Sequence, residues 1–332
     1  MNRKYSHLYW VLAAAVAAML LAVPYLVTDP YVMHIVIMTG VYMMLAASVD
    51  IIYGYAGQLN LGQAAFYAIG AYTAALLMLR LHVSYWVAMP AAGIAAAAFG
   101  ILLGVPTLRL RGLYLGIATM GFSEIVRLTL LTWQKLTRGP MGLPGIPSPT
   151  IGSFSIETKT AYYYLILAYL VITIFCVRRL VNSRVGKAWV AIREDEIAAS
   201  AMGIDTARFK VMAFSLGAFF AGIAGSFFAV YISFISPDSF KMMESYLIFA
   251  MPAIGGMGTT AGPLLGALII YVLPEVTRAF AEYRMLWVGA LLALVMIVNP
   301  KGIVGGLGSV VERYRHRNAA PEKGGDAGYA SS

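Results

Sequence analysis

Residues 32–53 read VMHIVIMTGVYMMLAASVDIIY, an apolar run interrupted by a single carboxylate, Asp50. A helix needs about 20 apolar residues to cross roughly 30 Å of hydrocarbon, and this run is long enough. Nine other runs share its character: Tyr9–Val27, Leu59–Leu79, Tyr85–Val105, Leu113–Trp133, Tyr162–Val177, Val211–Ile235, Tyr246–Met257, Pro263–Phe280 and Leu286–Val298. In lipid every backbone N–H and C=O must be bonded within the protein, and these runs are too long and too evenly apolar for barrel strands. The sequence therefore predicts an all-α integral membrane protein, a polytopic bundle of about 8–10 transmembrane helices, several of them broken by glycine.

Composition agrees. The chain is 60% hydrophobic and 12% charged, where soluble domains are about a quarter charged. Its net charge of +9 is no nucleic-acid signal, because Lys and Arg fall in short segments between apolar runs. The single cysteine, Cys176, excludes a disulfide framework and a CxxC metal site. Arg3 and Lys4 precede a run longer than a cleavable signal core with no clear A-x-A site, so Tyr9–Val27 reads as an uncleaved first span.

The cations also set an orientation. With the N-terminus inside, one set of connections holds Arg3, Lys4, Arg109, Arg111, seven cations from Arg178 to Lys210 and five from Lys301 to Lys323. The opposite set holds Arg80, Lys135, Arg138, Lys159, Lys241, Arg278 and Arg284. Sixteen against seven places both termini in the cytoplasm. Residues 1–306 form one transmembrane domain, and 307–332 a cytoplasmic tail that is small, polar and disordered from Ala319. The external connection 134–161 is rich in Gly and Pro and reads as an ordered loop or re-entrant turn.

The cytoplasmic connection 178–210 carries the most informative pattern. Glu194, Asp195 and Glu196 precede Ile197, Ala198, Ala199, Ser200, Ala201, Met202 and Gly203. Asp195 or Glu196 suits a first helical turn and Gly203 a left-handed C′ position. A short amphipathic helix results, with Ile197, Ala201 and Met202 exposed. Helices that lie on a bilayer favour cations on their polar face, and this one carries acids, so a protein partner is expected.

That spacing resembles the EAA-type loop of ATP-binding-cassette importer permeases, which docks on the ATPase subunit. Gly54-Tyr-Ala-Gly57-Gln58-Leu-Asn60-Leu-Gly62-Gln63-Ala-Ala-Phe66, with Ile69-Gly-Ala-Tyr72, is similar to the signature of the branched-chain amino-acid permease family of LivM type. Further matches run in order through Gly112 to Glu124, Gly139 to Gly145, Phe219 to Gly225 and Gly255 to Thr259, covering about 50–306. The resemblance implies a second homologous permease, two ATPases holding ATP and Mg, and a soluble substrate-binding protein, in a bacterial or archaeal cytoplasmic membrane. This chain itself would hold no cofactor, metal or catalytic residue. Family members commonly carry Ser-Leu-Gly-His where Asn60-Leu61-Gly62-Gln63 stands, which leaves urea, short amides or aromatic amino acids as alternatives to branched-chain amino acids.

Glycine-broken segments in opposite halves, with an internal pseudo-repeat between them, mark a translocation path. The residues are Gly57, Gln58, Asn60, Gly62 and Gln63 in one half and Gly255, Gly256, Gly258 and Thr259 in the other. Close helix packing explains the same glycines equally well. Three ionisable residues lie inside spans. Asp50 stands one turn from a cytoplasmic end and reaches water, whereas Glu124 and Arg127, three apart, pair on one helix.

Two rival classes fall away. Gly121-Phe-Ser-Glu124 imitates a membrane serine protease, but His7, His34 and His82 all precede Ser123, His316 lies in the tail, and there is no HExxH motif. A passive channel has no use for a docking helix, and no selectivity ring is legible. The chain also lacks a GxxxxGK[ST] loop, so any ATP dependence comes from partners.

Overall fold

The computed structural model describes residues 19–276, apart from 28 and 153, together with short helical pieces between 286 and 305. The expected spans Tyr9–Val27 and Leu286–Val298, the end of Pro263–Phe280 and the tail 307–332 lie wholly or largely outside the described residues.

Helix α1, Pro30–Asp50, starts where the Asp29 carboxylate accepts the Tyr31 N–H at 2.8 Å, and it ends in a π-helical turn, Ile51–Tyr55. The next span begins four residues later than hydropathy alone predicts, as α2, Gln63–Leu81. The reason is local. The Asn60 side chain accepts the Gly62 N–H at 3.0 Å, offering the backbone a turn in place of a helical ladder. Helices α3 (Tyr85–Thr107), α4 (Leu113–Thr132) and α5 (Lys159–Val181) follow, then two short helices, α6 (Arg184–Glu194) and α7 (Glu196–Ala201). The 27-residue α8, Thr206–Ile232, returns through the bundle. Helix α9 (Met242–Gly255) is short, α10 is described over Gly262–Val276, and the two pack chiefly on each other and on α1.

Six of these helices, α1 to α5 and α8, are long and apolar enough to cross a membrane among the described residues. The protein is a multi-pass membrane protein. Helices α1, α2 and α8 form its inside, while α4 and α5 are mostly uncovered and present Ile117, Ile125, Val171 and Phe175 outward.

Small residues set the core spacing. Helix α8 packs on α2 and α3, and a Cβ on Gly70 would stand 2.2 Å from the Gly222 carbonyl oxygen. Membrane helices gain little from hydrophobic exclusion, so such backbone contact replaces it as the packing force.

The connection 134–158 is ordered. Leu143–Pro144 (β1) pairs antiparallel with Phe234–Ile235 (β4), and Thr150–Ile151 (β2) with Phe154–Ser155 (β3). Arg80 Nη2 holds the carbonyls of Lys135 at 2.5 Å and Leu136 at 2.8 Å. These two-residue strands leave the all-α class intact.

Candidate functional site

Helix α6 is fixed to the bundle by Trp189, which is fully buried and donates its indole N–H to the Phe209 carbonyl at 2.8 Å. Trp189 packs with Ile51, Tyr55, Ala213 and Phe220, so α6 rests on the end of α1 and on α8. One extended residue, Asp195, then separates α6 from α7. Its carboxylate accepts the N–H groups of Ile197 at 2.8 Å and Ala198 at 3.0 Å, capping α7.

Gly203 ends α7 at φ +82°, with Ile204 N–H donating to Ala199 O at 3.1 Å and Gly203 N–H to Ser200 O at 3.0 Å. That pair of bonds is the Schellman arrangement, in which a left-handed glycine closes the helix. The single helix expected around Glu194–Gly203 is thus two helices joined at the extended Asp195, with Glu194 belonging to the first.

Of the three acids expected on this element, Glu194 and Asp195 are exposed and Glu196 is not. Ile197 and Met202 are 73% and 83% exposed, and Ala198 and Ala201 are exposed beside them. Ala199 instead is buried, because a helix this short must turn one face onto α8. Glu196 also turns inward, where it binds the buried Lys210 ammonium and, at 3.2 Å, Arg111 Nε. Asp195 is committed to its cap and Glu194 to Arg193 at 2.8 Å. Beside α7, Arg184, Lys187 and Arg208 line an open cleft of about 510 Å³ with Gly203, Asp205 and Phe209. The surface around the apolar tip thus carries cations, Arg184, Lys187 and Arg208, beside the exposed acids Glu194, Asp195 and Asp205.

Arg193, which sequence reasoning passed over, links α6 to the end of α1. Its Nη1 donates to the Gly54 carbonyl in the π turn at 2.6 Å. Its side chain passes over Gly57, where a Cβ would meet Arg193 Cγ at 2.8 Å, and past Gly258, where a Cβ would meet Nη1 at 2.7 Å. Both glycines hold left-handed φ, +67° and +66°. A faint signal existed in the sequence, since Trp189 and Arg193 are spaced to share one face of α6.

Asp50 does not reach water. It is 1% exposed, and its Oδ1 accepts the Gly258 N–H at 2.9 Å. The π turn and the 256–261 loop close over it: a Cβ on Gly54 would lie 1.9 Å from Asp50 Oδ1 and 2.5 Å from Gly258 N. Thr259 orders the same loop, donating to Gly256 O at 2.8 Å and accepting the Gly262 N–H at 3.0 Å. Gly255 allows α9 and α10 to meet, since its Cβ would strike Gly262 O at 1.8 Å.

Asn60 and Gln63 are fully buried and bonded to each other at 2.6 Å. Gln63 Nε2 donates onward to Ser48 Oγ at 2.7 Å, and Ala64 N–H donates to Ser245 Oγ at 3.0 Å. Gly62 abuts Thr119, whose carbonyl oxygen a Cβ would approach to 2.2 Å. In this conformation these residues tie α1, α2, α4 and α9 together. Gln58 lies half-buried at the edge of the group, donating to the Ala56 carbonyl at 3.2 Å.

Glu124 and Arg127 pair on α4 as their spacing implies, with Arg127 Nε donating to both carboxylate oxygens at 3.1 and 3.0 Å. No group of three or more metal-ligating side chains occurs among the described residues.

A family model described as the branched-chain amino acid transport system permease component matches residues 31–299. The high-affinity branched-chain amino acid transport system permease protein LivM of Escherichia coli is 40% identical over 316 residues, 87% of this chain and 74% of that protein. The LivH permease protein of Salmonella typhimurium is 31% identical, over 80% of this chain and 91% of its own. A probable LivM of Methanocaldococcus jannaschii is 26% identical over 80% of this chain and 90% of that protein. No solved structure matches the chain.

Proposed function

We propose, from the premise that this chain belongs to the branched-chain amino acid transport system permease family, that it is one of two membrane subunits of an ATP-driven importer. Its substrate class is the branched-chain amino acids, which the names of its relatives carry. The second subunit is a homologous permease. Two ATPases hold the ATP and Mg, and a soluble binding protein delivers the solute. The membrane is the cytoplasmic one, with both termini, 178–210 and the 307–332 tail inside, 134–161 outside, and 1–306 as a single permease domain.

The observation that carries this reading is the α6–α7 element. A capped, Schellman-closed helix with Ile197 and Met202 bare at its tip is rigid and apolar where a solvated connection would be polar. The cations beside it, Arg184, Lys187 and Arg208, fit acidic side chains on an ATPase groove. Asn60 and Gln63 are engaged with neighbouring side chains, so their departure from the usual Ser and His gives no support to an altered substrate.

Reconstitution tests it. Proteoliposomes holding both permeases and both ATPases, supplied with binding protein, accumulate leucine, isoleucine or valine only with internal ATP. This subunit alone neither hydrolyses ATP nor accumulates solute. Uptake by this subunit alone, or no uptake of any of the three by the full assembly, defeats the reading.

A further inference from the structure

Helix α1 ends with a bonding deficit that the sequence does not resolve. The last carbonyls of a helix lack donors in their own ladder. In the π turn, Ala56, Gln58 and Gly57 satisfy the carbonyls of Ile51, Ile52 and Tyr53. The next carbonyl, Gly54 O, takes its donor from Arg193, on a helix 139 positions later in sequence. One turn earlier on the same helix, Asp50 takes the Gly258 N–H. The end of α1 is thus held by the α6–α7 element through Gly54 and by the 256–261 loop through Asp50.

We infer that Arg193 is the positioning residue that carries movement of α7 into the two glycine-broken turns, and that Gly57 and Gly258 are glycine because its side chain must pass them. The inference deepens the importer reading and rests on it. Three observations support the path. Arg193 is separated from α7 only by Glu194 and the capping residue Asp195, whose N–H and C=O are bonded into α6 and α7 respectively. The segment therefore has little slack. The guanidinium bonds a backbone carbonyl, so displacing it displaces the main chain of α1 rather than a rotatable side chain. The same guanidinium passes Gly258, whose N–H donates to Asp50 at 2.9 Å and so ties the 256–261 loop to the same turn.

The side chain's route fixes what must surround it. Any Cβ at 57 would press on Arg193 Cγ at 2.8 Å in a backbone conformation that already favours glycine. Substituting Gly57 should therefore break the same link that substituting Arg193 breaks, from the opposite side.

The test uses the complete assembly with its binding protein, scoring solute uptake and ATP hydrolysis together. Arg193→Met should keep assembly and hydrolysis while the ATP consumed per solute rises about tenfold, within the usual range of coupling between sites. Arg193→Lys should recover part of the coupling, because it restores a donor without the guanidinium fork. Gly57→Ala should reproduce Arg193→Met, and the double variant should be no worse than either single one.

Equal loss of uptake and hydrolysis in Arg193→Met and Arg193→Lys would mark a merely structural bond and overturn the inference. So would unchanged coupling in Arg193→Met, additive effects in the double variant, or failure of all three single variants to assemble. A wild-type assembly without ATP-driven uptake faults the importer reading instead.

Discussion

Asp50 and Gly258 are 208 positions apart in sequence, yet the Gly258 N–H donates to the Asp50 carboxylate at 2.9 Å at the closed end of α1. A carboxylate in a membrane span normally stands near water or pairs with a cation. Here it serves a backbone loop, and it does so because Gly54 leaves no Cβ between the two chains.

Replacing Asp50 should therefore cost stability according to what remains to accept that proton. Asp50→Ala leaves the Gly258 N–H unpaired and buried, at a cost of about 1–3 kcal/mol. Asp50→Asn keeps an acceptor of the same shape and should lose less. Thermal midpoints of the purified assembly in detergent rank the two, and an equal loss contradicts this account.

A second contrast separates glycines that pack from glycines that do not. Gly62→Ala drives a methyl toward Thr119 O at 2.2 Å, whereas a Cβ at Gly121 meets nothing within 4 Å. Gly62→Ala should lower the midpoint of the isolated subunit clearly, by the route of core overpacking, about 1–3 kcal/mol. Gly121→Ala should stay within about 0.5 kcal/mol of wild type. Matching midpoints would show that the α2–α4 contact is not load-sensitive.

Gln63 gives a related prediction with a different readout. Gln63→Leu removes the acceptor of the buried Asn60 Nδ2 and one of the two partners of Ser48 Oγ, and should cost about 1–3 kcal/mol. Since the network is closed on itself, the concentration of leucine giving half-maximal uptake should not change in the surviving assembly. A shift of about tenfold in that concentration would place Gln63 on the solute's path instead.

These outcomes trace how far the sequence was legible. The long spans were readable because lipid demands internal bonding, which makes hydropathy nearly sufficient. Gly203 and the Glu124–Arg127 pair were readable because both depend on residues within one turn of each other. The start of α2 was misplaced because Asn60 competes for the backbone, an effect invisible to average hydropathy. Arg193 to Gly54, Gln63 to Ser48 and Glu196 to Lys210 are contacts made by folding, and no periodicity announces them. The glycines that stood equally for a path and for packing turned on such contacts. Their spacing reveals that something comes close, not what it is.

Orientation is open to chemical labelling. With Cys176 replaced, Ser200→Cys on the exposed side of α7 should resist an impermeant thiol reagent in intact cells and react after permeabilisation. Ser148→Cys, in the connection between α4 and α5, should react in both. The reverse pattern would invert the arrangement that the sixteen-to-seven distribution of cations supports.

The proposal that α7 docks the ATPase yields the most discriminating prediction, because the structure divides the residues of α7 into two kinds. Ala199 is buried against the chain's own bundle, so Ala199→Glu forces a charge into packed space. Gly203→Val strains a turn at φ +82°, where a branched side chain is disfavoured. Both variants should unseat α7 and depress the subunit's own stability along with uptake. Ile197 and Met202 touch little within the chain, being 73% and 83% exposed. Met202→Glu should therefore leave the isolated subunit's melting unchanged, since a charge added on an exposed face costs little. In the assembly it should weaken ATPase retention about tenfold or more, since burying an unpaired carboxylate in a groove with acidic side chains is unfavourable. Met202→Arg should retain the ATPase better than Met202→Glu, because its charge agrees with Arg184, Lys187 and Arg208 nearby. Melting of the isolated subunit, uptake by the assembly and co-purification of the ATPase at matched membrane levels measure the three properties. Equal retention by the two Met202 variants would remove electrostatics from the interface, and full retention by Met202→Glu would move the ATPase contact away from α7.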